Sequence, residues 1–226
     1  MKKIWVSVIL VIIVIGALTG LAYSVQKESI NNSLRMGLES TASVMATQIN
    51  ASDLATIKPG DENTPQYRSV VTQLNTMRSM DDHIVNAYIM KVNKDQSITF
   101  LVDDLYLEDP QGSAKIGDIY TPPDKMVILA ALSAPESTSE PYTDQYGSFI
   151  SAYAPIDDSA ADSAGNTYAV LGIDVSAQDY TDYMRGKGNL VLITGIVSII
   201  MALGIIAYFG SRLLKTGTDC VTERKK

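Results

Sequence analysis

Asp174 stands inside an apolar run, preceded by Leu171 and Ile173 and followed by Val175. A carboxylate in such a place needs a cation or several hydrogen-bond donors, because an unpaired buried charge is costly. Two readings are open. Asp174 is the counter-charge for a cationic or amine ligand, or it bonds backbone N–H groups at the start of a helix opening at Ser176. Tyrosines gather around the same region of the sequence. Tyr142 and Tyr153 fall on expected strands, and Tyr106 and Tyr120 flank or lie in a connector. Each offers a flat apolar face and one polar tip, which suits a small-molecule pocket. Tyrosines also simply pack in sheets, so the cluster says more than its members. Asn86 and Tyr88 share a strand face with Met90, a mixture that suits a pocket floor or an edge facing water.

Other chemistry finds less support. Asp103-Asp104, Glu108-Asp109, Asp157-Asp158 and Asp162 lack the Asp-x-Asp-x-Asp-Gly spacing of a calcium loop and read as solvated loop acids. One His (His83) and one Cys (Cys220), far apart, cannot furnish a tetrahedral zinc site. His83 has no Ser, Cys or carboxylate arrangement that suggests a triad and reads as a boundary residue. No catalytic residue, metal or cofactor is therefore expected, and the chain reads as non-enzymatic.

The elements that must position Asp174 follow from periodicity. From Ser24 to about Leu54 there is no Pro, and Leu34, Leu38, Met45 and Ile49 recur at helical spacing. Lys58-Pro59-Gly60-Asp61 ends that helix. Thr64-Pro65 reads as N-cap and first position of a second helix, with Tyr67, Val70, Val71, Leu74 and Met77 on its buried face. Ile84–Val92 and Ser97–Val102 read as a hairpin around Asn93-Lys94-Asp95-Gln96. A polar stretch from Asp103 to Asp118 leads to a short helix opened by Pro122-Pro123-Asp124. Tyr142–Asp144 and Ser148–Pro155 form a second hairpin, and Tyr168–Val175 the last strand. Ser176, with Asp179 three residues on, caps an exit helix. The order describes an α+β domain, an antiparallel sheet with helices packed on it.

Two uncharged apolar runs, Ile4–Tyr23 and Leu190–Ser211, bracket this domain. Each is about 20 residues, enough to cross a hydrocarbon core of roughly 30 Å. Lys2 and Lys3 precede the first; Arg212, Lys215, Arg224, Lys225 and Lys226 follow the second against only Asp219 and Glu223. Lys and Arg collect on cytoplasmic flanks, so residues 1–3 and 212–226 are expected in the cytoplasm and 24–187 outside. The 24–187 segment holds 11 Lys and Arg against 23 Asp and Glu, which argues against nucleic acid and anionic headgroups as partners. It has no Cys, so its core must hold it together without a disulfide. A cleaved signal peptide is the other reading of the first run. The run exceeds the usual h-region of about 7–15 residues and its helical pattern continues, which favours an uncleaved anchor. Gly16 and Gly20 form a G-x-x-x-G that would favour a homodimer.

The chain resembles the extracytoplasmic Cache (PAS-like, PDC) sensor domains of histidine kinases and chemotaxis receptors. The resemblance rests on the long entry helix, on the first hairpin, and most closely on one stretch. That stretch runs Pro141-Tyr142-Thr143-Asp144, Gly147-Ser148-Phe149-Ile150-Ser151, Ala154-Pro155-Ile156, Gly165-Asn166 and Val170-Leu171-Gly172-Ile173-Asp174-Val175. It implies a single-Cache module, a five-stranded PAS-like sheet with one face on the long helix. A ligand pocket lies on the other face, closed by the connector. In amino-acid-sensing relatives the G-x-D aspartate anchors the ligand amine, assisted by a Tyr and an Asp of the third strand; here these match Asp174, Tyr142 and Asp144. The Arg-x-Trp-Tyr element that holds the carboxylate is reduced to Tyr120, with no Arg or Trp in Ile119–Met126, which argues against an α-amino acid. The basic pocket of dicarboxylate sensors is missing too.

The expected function is ligand sensing. A small molecule binds the external domain at Asp174, Tyr142, Asp144, Tyr153, Tyr120, Tyr106 and Tyr88, and the two spans relay the event. The alternative is a membrane-anchored protein-interaction or scaffolding domain with no small-molecule ligand. Residues 212–226 hold no kinase, chemotaxis-signalling or HAMP-like domain. The chain is thus expected to be either the sensor part of a longer receptor or a partner of a separate cytoplasmic transmitter.

Overall fold

The computed structural model describes residues 2–123, 125–156 and 168–223. The late-loop acids Asp157, Asp158 and Asp162 lie outside them. The chain forms two compact units, one made of Met1–Asn31 with Tyr183–Lys226 and the other of Asn32–Asp182.

The first unit consists of parts of two long helices, α1 (Lys2–Gln48) and α5 (Ala177–Glu223). Both contain a stretch long and apolar enough to cross a membrane. Neither stretch is buried: Leu10, Ile13, Leu18, Leu21, Leu190 and Ile200 are all exposed. These are therefore not the core helices of a globular domain. Glycine lets the two helices approach. A Cβ on Gly195 would come within 2.4 Å of Thr19 Cγ2, and one on Gly188 within 3.0 Å of Tyr23 Cε2.

The second unit is an α+β domain. Helix α1 was expected to run to about Leu54, but it stops at Gln48 and a short α2 (Ala51–Leu54) restarts after it. The interruption is Asn50, whose extended backbone and side-chain oxygen, accepting from Ser52 N at 3.1 Å, begin a new N-terminus. Asn makes such local bonds in preference to continuing a helix. Helix α3 (Pro65–Arg78) starts as its sequence dictates, with Pro65 at N1 and Thr64 Oγ1 accepting from Tyr67 N.

The sheet has seven antiparallel strands rather than five. They are β1 (Ile84–Val92), β2 (Ile98–Asp103), β3 (Ile119–Tyr120), β4 (Glu136–Ser137), β5 (Tyr142–Thr143), β6 (Ser148–Pro155) and β7 (Tyr168–Ser176), with α4 (Lys125–Ala130) between β3 and β4. Their spatial order is β3-β2-β1-β7-β6-β4, with β5 paired to β6 off that path. The unforeseen strands β3 and β4 are two residues each, too short to show any periodicity.

Strand alternation sorts the core into two layers. Leu171 and Ile173 of β7, with Ile89 and Ala152, face α1 and α3 through Met45, Ile49, Val71 and Leu74. Val170, with Tyr88, Met90, Phe100 and Tyr153, faces the opposite way beneath Tyr120 and Ile128. Gly172 and Asp174 follow Val170 at the period of two and so belong to this second face. The functional candidates are therefore held on the side of the sheet away from the long helix.

Candidate ligand-binding site

The central strand β7 carries Asp174, and its two neighbours supply donors directly opposite. Asn86 on β1 and Ser151 on β6 are both in register with Asp174. Asn86 Nδ2 donates to Asp174 Oδ2 at 3.1 Å, and Ser151 Oγ donates to Oδ1 at 2.6 Å. Tyr88 OH adds a third bond to Oδ1 at 2.8 Å. One step along the sheet, Tyr88 and Tyr153 both face Gly172. The glycine is what gives the Tyr88 ring room to cross β7. A Cβ at position 172 would lie 2.3 Å from Tyr88 Cε2. Gly172 and Asp174 thus work together, the first clearing the path by which Tyr88 reaches the second.

Behind Asp174 the hydroxyls form a directed chain. Ser151 has one proton, already given to Asp174, so Tyr142 OH donates to Ser151 Oγ at 2.8 Å. By the same count Tyr153 OH, 3.4 Å from Tyr142 OH, donates to it. Burial holds the phenols of Tyr88, Tyr142 and Tyr153 above their ordinary range, so all three are neutral donors at physiological pH.

Asp174 is only 4 % exposed. Desolvation pushes its carboxyl up to about 6, against the three side-chain bonds from Ser151, Asn86 and Tyr88 that favour the charged form. Asp144, a second carboxylate, also pushes it upward. Among the described residues, no cation pairs with this carboxylate. Its partners are side chains and not the helix N-terminus that follows. Ser176 Oγ serves that N-terminus itself, accepting from Gln178 N.

A cavity of about 100 Å³ opens onto Asp174. Tyr88, Phe100, Tyr120 and Tyr146 supply its aromatic walls, and Asp103, Asp144 and Asp174 its charge. Among the described residues no Lys, Arg or His lines it. The rings brace one another, Phe100 lying 5.3 Å from Tyr120 and 5.6 Å from Tyr146 between centroids. Asp144 is fixed by three donors: Tyr120 OH reaches Oδ2 at 2.7 Å, and Tyr146 N and Gly147 N reach Oδ1.

Of the acids at the start of the connector, Glu108 and Asp109 are exposed as the sequence suggests, but Asp103 and Asp104 are drawn out of the water. Asp103 accepts from Leu105 N at 2.9 Å and from Ala114 N at 2.8 Å, and burial raises its carboxyl. Asp104 is fully buried. It pairs with Arg78 of α3 and accepts from Ala87 N at 2.9 Å. Desolvation still outweighs these partners and lifts its carboxyl to about 6. Their side chains leave the water because β2 carries the chain straight into a 3-10 turn (Asp104–Leu107) lying on α3.

Of the tyrosines and acids singled out from sequence, Tyr88, Tyr120, Asp144 and Asp174 line the cavity. Tyr142 and Tyr153 stand behind it in the hydroxyl chain. Tyr106 is not brought to this cluster; its ring packs edge-on to Tyr67 in the helix-side layer, 5.5 Å between centroids. Sequence reasoning passed over Ser151, Phe100 and Tyr146 as site residues and set Asp103 aside as a solvated acid. Ser151 was findable: once β6 and β7 are paired as neighbours, a polar residue opposite a buried Asp is a natural donor. The chain matches no protein-family model and no curated protein.

Proposed function

We propose that this chain is a membrane-anchored sensor whose domain, of the single-Cache kind, binds a small organic cation outside the cell. The observation that carries this reading is the cavity: three carboxylates and four aromatic rings converge on it with no basic side chain among the described residues. A desolvated carboxylate attracts a cation strongly, and aromatic faces attract ammonium groups at about 0.5–2 kcal/mol each. An engineered apolar cavity of about 150 Å³ holds benzene, so the smaller space here suits a ligand of roughly four to six heavy atoms. The missing Arg argues against any ligand carrying a carboxylate.

The relay is proposed to pass through α1 and α5 to a cytoplasmic transmitter. A route from site to helix supports it. Ser151, bound to Asp174, exchanges bonds with Thr138: Thr138 N donates to Ser151 O at 2.9 Å, and Ser151 N to Thr138 Oγ1 at 3.1 Å. The adjacent Ser137 is clasped by α1. Arg35 Nε donates to Ser137 Oγ at 3.0 Å, and Ser137 Oγ to Glu39 Oε1 at 2.5 Å. Ligand can shift such a link only by binding its two arrangements unequally. Homodimerisation is proposed through Gly16 and Gly20, where an added Cβ would meet open space beyond the helix's own backbone.

The test is thermal melting of the detergent-solubilised chain against small ammonium compounds, dicarboxylates and neutral sugars. A midpoint raised by ammonium compounds alone supports the reading. No shift with any of them, together with a stoichiometric protein recovered by cross-linking, would favour the scaffolding alternative.

A further inference from the structure

We infer that Asn50 is a glycan acceptor, modified at its side-chain nitrogen by an oligosaccharyl transferase on the outer side of the membrane. The inference rests on the external placement of residues 24–187 and is independent of what the cavity binds. Within that segment the sequence holds two Asn-x-Ser triplets without Pro at the middle position, Asn31-Asn32-Ser33 and Asn50-Ala51-Ser52. Such a triplet is an acceptor for N-glycosylation where the chain presents it on an exposed, irregular segment.

The structure separates the two triplets. Asn31 and Ser33 lie inside α1, and each is already engaged in a contact of its own. Presenting that triplet to an enzyme would mean unwinding the helix. Asn50 stands where α1 has stopped, in extended backbone with φ −79° and ψ 108°. Asn50 and Ser52 are both exposed, and so are Gln48 before them and Ala55 and Thr56 after them. Ala51 alone of the triplet is buried, which pins the acceptor to the surface with its two reacting side chains in water.

The amide of Asn50 has a defined orientation. Its Oδ1 accepts from Ser52 N at 3.1 Å and from Ser52 Oγ at 2.7 Å. The oxygen is thereby occupied, while Nδ2 has no hydrogen-bond partner among the described residues. The transfer joins Nδ2 to the anomeric carbon of a lipid-linked oligosaccharide. The bond from that carbon to the lipid pyrophosphate oxygen breaks, the pyrophosphate leaves with the electron pair, and one Nδ2 proton passes to the transferase base. Oδ1 is untouched, so the bond from Ser52 N that begins α2 survives the modification.

Trypsin places the two triplets on different peptides. Cleavage after Lys27, Arg35 and Arg68 puts Asn31 in Glu28–Arg35 and Asn50 in Met36–Arg68, because Lys58 precedes Pro59 and is not cut. The full chain is isolated from its natural membranes and both peptides are weighed by mass spectrometry. The expected result is a saccharide mass on Met36–Arg68 and none on Glu28–Arg35. Ser52→Ala, which keeps Asn50 and its backbone donor, should abolish the added mass. An unmodified Met36–Arg68 as the sole form, a saccharide on Glu28–Arg35 alone, or a saccharide that survives Ser52→Ala would overturn the assignment. Trypsin added to intact cells tells the two failures apart. If the unmodified chain is cut within residues 24–187 from outside, only the acceptor assignment fails; if that segment is protected, the external placement fails with it.

Discussion

Asp174 is the residue on which the account turns, and charge and structure can be separated there. At about pH 8 the folded protein holds its carboxylate ionised at a cost, since desolvation raises its pKa to about 6. Asp174→Asn removes that cost and keeps an acceptor for Ser151 and Tyr88. The variant is expected to be as stable as the wild type at that pH, or more stable by up to roughly 3 kcal/mol, while losing cation binding. Denaturant unfolding measures the first and calorimetry the second. A loss of more than about 1 kcal/mol in Asp174→Asn would instead make the carboxylate structural. Gly172→Ala should act by geometry alone. Its Cβ falls within 2.3 Å of the Tyr88 ring, so Tyr88 must leave Asp174 and stability should fall by about 1–3 kcal/mol. At this scale the sequence was legible where one residue broke a pattern, as Asp174 breaks an apolar strand. At Ser151 it was legible only once β6 and β7 are paired, because the role of that serine exists in the register. It was not legible at Asp103 and Asp104, whose polar neighbours concealed that β2 delivers them into the interior.

Among the elements, α3 and the 3-10 turn after β2 form the tie that shapes the cavity wall. Arg78 of α3 pairs with Asp104 and lies 3.7 Å from Glu108, while Asn75 Nδ2 donates to Glu108 at 2.8 Å. Arg78→Ala leaves Asp104 buried without its cation, which should cost on the order of 3 kcal/mol at neutral pH. The loss should shrink as pH falls towards about 6, because Asp104 without Arg78 takes up its proton at a higher pH than in the wild type and then needs no cation; urea unfolding at two pH values reads this directly. The long strands and α3 were readable because nine- and fourteen-residue elements display their period. The two-residue strands carry no period to read, and the stop in α1 depends on one side-chain bond of Asn50. Tyr106 illustrates the same limit: a 3-10 turn decides which side of the sheet it meets, and nothing in its immediate sequence announces the turn.

For the whole molecule, acid should act on folding and on binding in opposite directions. The folded-state pKa values of Asp174 and Asp104 are raised to about 6 from an unfolded value of 3.8. Between those values the folded state binds more protons than the unfolded one, so stability of the unliganded protein rises as pH falls from about 6 to about 4. Cation binding needs the ionised carboxylate and weakens through the same window. The two runs long and apolar enough to cross a membrane were visible as uncharged stretches, and the structure adds that their apolar side chains are left uncovered. What no composition could supply is that the acid excess includes three carboxylates turned into one cavity. The most direct measurement is calorimetric titration of ethanolammonium into the detergent-solubilised chain at about pH 8 and about pH 5. Saturable binding at the higher pH, about tenfold weaker at the lower, is the predicted result. A folded protein that binds no ammonium compound at about pH 8, or that binds one equally well at both values, would contradict it.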